Sequence, residues 1–124
     1  MKKKRLLIIP ARSGSKRIKN KNIRLFHGKP MIYYPIQSAL CSKIFHKIHV
    51  STESIKIRNL CTKYGISSDF LRPKNLSGDS SSLYSVLKFV VEKYKSLGKV
   101  FDEIWCILPA SPLLTSNDLK LFSK

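Results

Sequence analysis

The chain has 124 residues, 43% of them apolar, which is enough for one domain with a hydrophobic core and is not the composition of a disordered protein. Its 24 Lys and Arg residues against 7 Asp and Glu give a net charge of +17, which predicts a polyanionic partner such as a nucleotide, a nucleic acid or an anionic membrane. The apolar run at residues 6–9 is too short for a signal peptide or a membrane span, so we expect a cytoplasmic protein without a membrane partner.

The first predicted element is a buried strand at residues 5–11, RLLIIPA, whose apolar residues do not alternate with polar ones. This pattern is typical of a parallel strand covered on both faces. The loop that follows contains Ser13, Gly14 and Ser15, which are small enough to let backbone N–H groups approach a phosphate. It also carries cations that can neutralise phosphate charge: Arg12, Lys16, Arg17, Lys19, Lys21 and Arg24.

This loop is not a known glycine-rich nucleotide motif. It lacks the upstream glycine of a Walker P-loop and the three glycines of a dinucleotide fingerprint. The residues alone therefore leave two interpretations open, a phosphate-binding loop and a solvated basic loop.

The next elements are predicted from periodicity. Residues 31–42 carry a helical apolar stripe, with Pro35 in the first turn or at a kink. Residues 46–52 predict a short alternating strand, and residues 53–64 a helix that Gly65 ends. The cap of that helix is predicted to be a hydroxyl at the strand end, Thr52 or Ser51.

The second half continues the alternation of strands and helices. Residues 67–73, SSDFLRP, predict a short strand, and a turn-rich loop leads to a helix of about four turns at 82–98. Residues 101–108 predict another strand, followed by a proline-containing loop. Residues 115–118, TSND, have the spacing of a capping box that opens a last helix.

This order of elements predicts an α/β fold, a doubly wound and mostly parallel sheet with ligands at the carboxyl ends of its strands. The chain ends soon after the last helix begins, so we expect a truncated version of such a fold. The three cysteines are too far apart for a disulfide framework or a zinc motif, and we expect reduced, mostly buried thiols at Cys41, Cys61 and Cys106. No histidine or carboxylate spacing predicts a metal site within the chain.

Five segments, "IIPARSGSKRIKNKNI", "GKPMIYYPIQSAL", "VST", "LRP" and "LPASPLLT", resemble the N-terminal half of the acylneuraminate cytidylyltransferase (CMP-sialic acid synthetase) family. "SKRIKNKN" is most similar to the pseudaminic acid branch. The resemblance implies a Rossmann-like nucleotidyltransferase, with residues 1–124 as its N-terminal nucleotide-binding part. It also implies transfer of CMP from CTP to a nine-carbon α-keto acid sugar of the sialic, pseudaminic or legionaminic type, with release of pyrophosphate, for surface glycan synthesis.

The resemblance also implies roles for individual residues. Arg12 and Lys21 are the expected catalytic residues, with Lys21 stabilising charge in the transition state. The sugar side of the site is expected at Arg72 and Ser111. The nucleotide-binding residues are expected to be Pro10, Ala11, Arg12, Ser13, Gly14, Ser15, Lys16, Lys21, Asn22 and Ser82. Mg²⁺ is the implied cofactor, with its ligands in the C-terminal half that family members carry.

Three departures from the sialic acid enzymes bear on the expected site. Leu108 and Leu114 replace a glutamine and an arginine that would help to bind an acidic sugar, which leaves the sugar open. Glu53 stands where the family usually has aspartate, and its spacing equally suits an acid in the first turn of a helix.

Two alternative functions stay open. One is an inactive truncated fragment of the same family, in which the contacts of a family-like homodimer are largely absent. The other is a basic nucleic-acid-binding module, suggested by the net charge and by Tyr33, Tyr34 and Trp105. Those aromatic residues lie in apolar segments and are predicted to belong to the core, so no nucleic-acid partner is expected.

Overall fold

The computed structural model describes residues 3–13, 23–78 and 81–124. Within these ranges the chain forms five strands and four α-helices, with a 3₁₀ helix at Lys74–Leu76. In chain order the elements are β1 (Arg5–Pro10), β2 (Leu25–Phe26), β3 (Lys29–Pro30), α1 (Tyr33–Ser42), β4 (Lys47–Ser51), α2 (Ile55–Lys63), α3 (Leu83–Ser96), β5 (Glu103–Cys106) and α4 (Ser116–Phe122).

The centre of the fold is a three-stranded parallel sheet in the order β4-β1-β5. β1 lies in the middle, and its residues 6–9 are fully buried, as the continuous apolar run predicted. At the carboxyl end of the sheet Pro10 lies beside Ser51. The loops that leave β1 and β4 therefore begin next to each other.

Helices cover both faces of the sheet, which confirms the doubly wound arrangement. Helices α1, α2 and α4 pack on one face of β1 and β4, where Ile36, Ile57 and Leu119 are buried against Leu7 and Ile9. Helix α3 covers the other face, where its buried side chains Val90 and Tyr94 pack against Leu6 and Ile8. Successive β1 side chains therefore enter two separate cores.

The predicted helices are all present, with one incorrect cap. Helix α1 has Pro35 in its first turn, and α3 is followed by Gly98 with a φ of 82°. Helix α2 is capped by Ser54, whose Oγ accepts from the N–H of Ile57 at 3.2 Å, and not by Thr52 or Ser51. Those two hydroxyl residues are buried at the end of β4 instead.

Three other local predictions are wrong. β4 does not alternate, because four consecutive residues, Ile48 to Ser51, are buried. Residues 67–73 form no strand. The segment contacts the end of β4 through two hydrogen bonds: the N–H of Arg72 donates to the Thr52 carbonyl, and the hydroxyl of Ser68 donates to the Val50 carbonyl. The thiols are not mostly buried, since Cys41 and Cys106 are exposed.

A short hairpin, β2–β3, was not predicted. Its turn residues His27 and Gly28 both have positive φ, 50° and 80°, which is the backbone of the tight turns that join antiparallel strands. The hydroxyl of Tyr34 donates to the carbonyl of Phe26 and ties the hairpin to α1.

Helix α4 begins with the predicted capping box. The Thr115 hydroxyl accepts from the N–H of Asp118, and the Asp118 carboxylate accepts from the N–H of Thr115, both at 3.1 Å. We expect Thr115→Ala to lower the free energy of unfolding by about 1 kcal/mol in urea titrations. Ser116→Ala, one residue further on, should leave it nearly unchanged, and equal effects of the two changes would contradict this assignment.

Of the three thiols, only Cys61 is buried. Burial raises the pKa of the Cys61 thiol to about 12, so that thiol stays protonated and unreactive. None of the helices in the described parts of the chain is long and apolar enough to cross a bilayer.

Candidate functional site

A cleft of about 290 Å³ opens at the carboxyl end of the sheet, close to the lower end of the size range of small-molecule sites, about 300 Å³. Described residues from three parts of the chain form it: the end of β1, residues 72–78 together with 81–86, and the loop after β5. Its lining residues are Pro10, Arg12, Arg72, Gly78, Ser81, Ser82, Leu83, Val86, Leu108, Pro109 and Ala110. The cleft thus lies where a doubly wound sheet places its ligands.

Arg72 is a buried and firmly held charged residue of the cleft. It is 6% exposed, and its guanidinium donates to the Ser51 hydroxyl at 3.1 Å, the Ser51 carbonyl at 2.9 Å and the Leu76 carbonyl at 3.4 Å. Burial is the main cause that lowers the pKa of Arg72; nearby Arg12 lowers it further, while Glu53 raises it. Both arginines line the cleft, and the charge of Arg12 acts on Arg72.

The amino end of α3 borders the same cleft. Ser82 is its N-cap, with Oγ accepting from the N–H of Ser85 at 3.1 Å, and it also lines the cleft. Ser82 therefore caps the helix and lines the cleft at the same time. A helix of 14 residues adds a partial positive charge at this end, in the same direction as the arginines.

Ser13, near the start of the loop after β1, is anchored by an acid from the β4–α2 junction. The N–H of Ser13 donates to Oε1 of Glu53 at 2.7 Å. Glu53 precedes the cap Ser54, so its interpretation as a first-turn acid of the helix is wrong.

The structure does not bring all the predicted site residues together. Ala11 is fully buried in the core beneath the site, and its N–H donates to the Ser51 carbonyl. Ser111 lines a neighbouring, mainly apolar cavity of about 280 Å³ between β5 and α4, and its hydroxyl donates to the Leu108 carbonyl. Five predicted residues lie outside the described ranges: Gly14, Ser15, Lys16, Lys21 and Asn22.

Several lining residues were missed in the sequence. Pro109 and Ala110 line the cleft together with Leu108, which also reaches the apolar cavity. The available signal was the position of "LPA" directly after a predicted strand, at the sheet edge where ligands bind. Ser51 supports the site from beneath by holding Arg72, and the available signal was its position in "VST", at the end of a predicted strand.

Among the described residues, the charged side chains that line the cleft are cations. Arg12, Arg72 and the α3 amino end supply positive charge to the cleft. Among residues 3–13, 23–78 and 81–124, no three His, Cys, Asp or Glu side chains come together as metal ligands. The aromatic side chains pack edge to face in pairs, Tyr33 with Tyr34 and Trp105 with Phe45.

The sequence profile of the family described as "Cytidylyltransferase" matches residues 6–123. The pseudaminic acid cytidylyltransferase of Campylobacter jejuni is 44% identical over 117 residues, 94% of this chain and 50% of the relative. The CMP-N,N'-diacetyllegionaminic acid synthase of Legionella pneumophila is 38% identical over 107 residues, 86% of this chain and 46% of the relative. The chain spans about half the length of these relatives.

Solved structures share the fold. The CMP:2-keto-3-deoxy-manno-octonic acid synthetase, in a structure with CTP, superposes with a TM-score of 0.77 at 24% identity. The superposition covers 95% of this chain and 45% of that one.

Proposed function

Because the chain belongs to the cytidylyltransferase family, we propose that it forms the CTP-binding part of an enzyme that transfers CMP to a nine-carbon α-keto acid sugar. The observation that carries this proposal is the cleft at the carboxyl end of the sheet, where Arg12, Arg72 and the capped amino end of α3 converge. Among the possible sugars we propose pseudaminic acid, since the relative named for it is 44% identical. The products are the CMP-sugar and pyrophosphate.

The reaction needs positioning and charge neutralisation more than covalent chemistry. The anomeric hydroxyl of the sugar attacks the α-phosphate of CTP, the bond to the β-phosphate oxygen breaks, and pyrophosphate leaves. We propose that Pro10 lies against the nucleoside and that Arg12 and Lys21 stabilise the negative charge that develops on the phosphates. We further propose that Lys16 contacts the phosphates and Asn22 orients the nucleotide.

The sugar side of the site is proposed at Arg72 and Ser111. The Arg72 guanidinium has five N–H hydrogens and donates three of them to the protein. We propose that the other two donate to a carboxylate or phosphate in the cleft that Arg72 lines. Leu108 lies on the wall shared by the cleft and the neighbouring apolar cavity. Because its side chain is apolar, it suits contact with a deoxy or methyl position of the sugar.

Magnesium is the cofactor expected for this chemistry. The described residues of this chain do not fit it, since no group of three ligand side chains forms among them.

Isothermal titration of CTP into the 124-residue chain, with magnesium present, tests the proposed site. We expect saturable binding that is at least about tenfold tighter for CTP than for ATP or GTP, because the walls of the cleft must exclude the wrong base. A folded chain that binds the three nucleotides equally, or binds none, would contradict the proposal. Equal binding with a steep salt dependence would favour the nucleic-acid alternative instead.

Single substitutions test which cations of the chain bind the phosphates of CTP. We expect Arg12→Ala and Lys21→Ala each to weaken CTP binding by about tenfold, since each removes a cation from the phosphates. Lys88→Ala is the matched control, because it removes the same charge from the exposed face of α3. Similar losses in all three variants would show that the charge acts only as a diffuse field.

A further inference from the structure

We propose that the amino end of the central sheet carries a second anion site, which takes a soluble anion with two or more phosphoryl groups. The site lies at the opposite end of β1 from the cleft: Arg5 begins the strand, and Pro10, which lines the cleft, ends it. It uses none of the residues assigned to CTP, so it does not depend on the proposed function.

The first observation is a cavity of about 530 Å³ at this end of the sheet. Its volume lies within the range of small-molecule sites, about 300–1,000 Å³. None of the described residues that line it is an acid. Four of them are bases: Lys3, Arg5, Lys43 and His46.

A second cavity, of about 260 Å³, shares His46 with the first. Its other basic lining residues are Lys4, Lys47 and Lys99, and no acid lines it among the described residues. The two cavities meet at His46, so one anion with several phosphoryl groups can contact cations from both. The residues that line the two cavities are called the amino-end surface below.

Several cations of the amino-end surface keep donor hydrogens for a ligand. Lys4, Lys43 and Lys99 are exposed, and no carboxylate among the described residues lies within 4 Å of their amino groups. The Arg5 guanidinium donates two of its five N–H hydrogens to the protein, to Glu103 at 2.8 Å and to the Ser123 carbonyl at 3.4 Å. Donors of this kind form charge-assisted hydrogen bonds to phosphate oxygens.

Three carboxylates beside the amino-end surface neutralise only part of its charge. Six lysines and arginines line the two cavities, so three acids leave a net charge of +3. The acids are held by cations or backbone of the same surface: Glu103 by Lys3 at 3.1 Å and Arg5 at 2.8 Å, Asp69 by Lys47 at 2.9 Å, and Asp102 by the N–H of Lys4 at 2.8 Å.

The aromatic side chains of the amino-end surface favour a phosphate anion over a nucleic acid. Phe45 packs edge to face on Trp105 with ring centroids 5.2 Å apart, and Phe101 packs in the same way on Tyr94 at 5.8 Å. Both phenylalanines are only partly exposed. Single-stranded nucleic acids bind by stacking successive bases on aromatic rings, and these rings are already packed against others.

An NMR titration of the 124-residue chain with inorganic pyrophosphate tests the site. We expect the backbone N–H signals of Lys43, His46 and Lys99 to shift along one saturating curve. Arg12→Ala, which removes a cation of the cleft, should leave that curve unchanged.

Matched substitutions test the cations themselves. Lys43→Gln in the larger cavity and Lys99→Gln in the smaller should each weaken pyrophosphate binding at this surface by about fivefold, because each removes one cation from the phosphates. Lys56→Gln is the control, since Lys56 is exposed on α2 and lines neither cavity. It should change the binding by less than about twofold.

Three results would overturn the proposal. The first is the absence of saturating shifts at the amino-end surface, and the second is an equal loss of binding in all three glutamine variants. The third is binding of a single-stranded oligonucleotide, or of phosphatidylglycerol vesicles, that Lys43→Gln and Lys99→Gln weaken while pyrophosphate does not bind. A chain that binds pyrophosphate here but does not bind CTP would contradict the proposed function and leave this site standing.

Discussion

Lowering the pH from 7 to 4 is expected to reduce the free energy of unfolding by about 3 kcal/mol, because a buried histidine resists protonation in the folded chain. His49 lies on β4 and is 1% exposed. Burial, the largest cause, lowers its pKa from 6.5 to about 4; nearby Asp69 opposes this shift, and the cations Lys47, Arg58 and Arg72 add to it.

The contacts of His49 explain why the neutral ring is preferred. The Tyr94 hydroxyl donates its single proton to Asp69 at 2.8 Å, so the His49 Nδ1–H is the donor in the 3.0 Å contact with Tyr94. The ring also packs on Phe70 with centroids 4.4 Å apart. A second proton would therefore place a charge in the core.

The sign of the pH effect follows from the two pKa values. Between pH 6.5 and 4 the unfolded chain binds a proton at His49 that the folded chain does not bind, so stability falls as the pH falls. Asp69 also lowers the stability as the pH falls through the acidic range in which an aspartate ordinarily titrates, because its pKa is lowered in the folded chain. Burial tends to raise its pKa, but the hydrogen bonds from Lys47 and Tyr94 outweigh this and lower it.

Urea unfolding at pH 7, 5.5 and 4 measures this loss. His49→Gln should remove most of the pH dependence above pH 4, whereas His46→Gln, at an exposed position, should leave it unchanged. A wild-type stability that stays constant from pH 7 to 4.5 would contradict the assignment, as would an equal slope in His49→Gln.

Replacing Arg72 by methionine is expected to lower both stability and nucleotide affinity. The change removes three hydrogen bonds from a charged donor and leaves the Leu76 carbonyl and the Ser51 hydroxyl without that partner. Because the cost of burying the guanidinium is also removed, we expect a net loss of about 3 kcal/mol in the free energy of unfolding. CTP binding should weaken by about tenfold or more.

Two further variants test the reason for the Arg72 effect. Arg72→Lys keeps the charge but not the planar fork, so it should recover only part of the stability. Arg58→Met is the matched control: the Arg58 guanidinium donates one hydrogen bond, to the Ser68 carbonyl, and it does not line the cleft. Full stability of Arg72→Met, or an equal loss of CTP binding in Arg58→Met, would contradict the proposed role.

The sequence alone determined the four α-helices, the three strands of the central sheet and the fold class of this protein. The continuous apolar run of β1 predicted a strand buried on both faces, and the structure confirms it. The TSND capping box and the glycines that follow α2 and α3 were also found where predicted. These features depend on the backbone and on neighbours within about four residues, so the residues that cause them are adjacent in the sequence.

Only the tertiary structure decided which distant residues share the site. Local periodicity cannot show that Arg72 turns inward onto Ser51, that Glu53 reaches Ser13, or that Ser111 faces a different cavity. It also predicted a strand at residues 67–73, where side chains and one backbone bond satisfy the end of β4 instead. Contacts of this kind depend on the strand order β4-β1-β5, which long-range packing sets and no short stretch of sequence encodes.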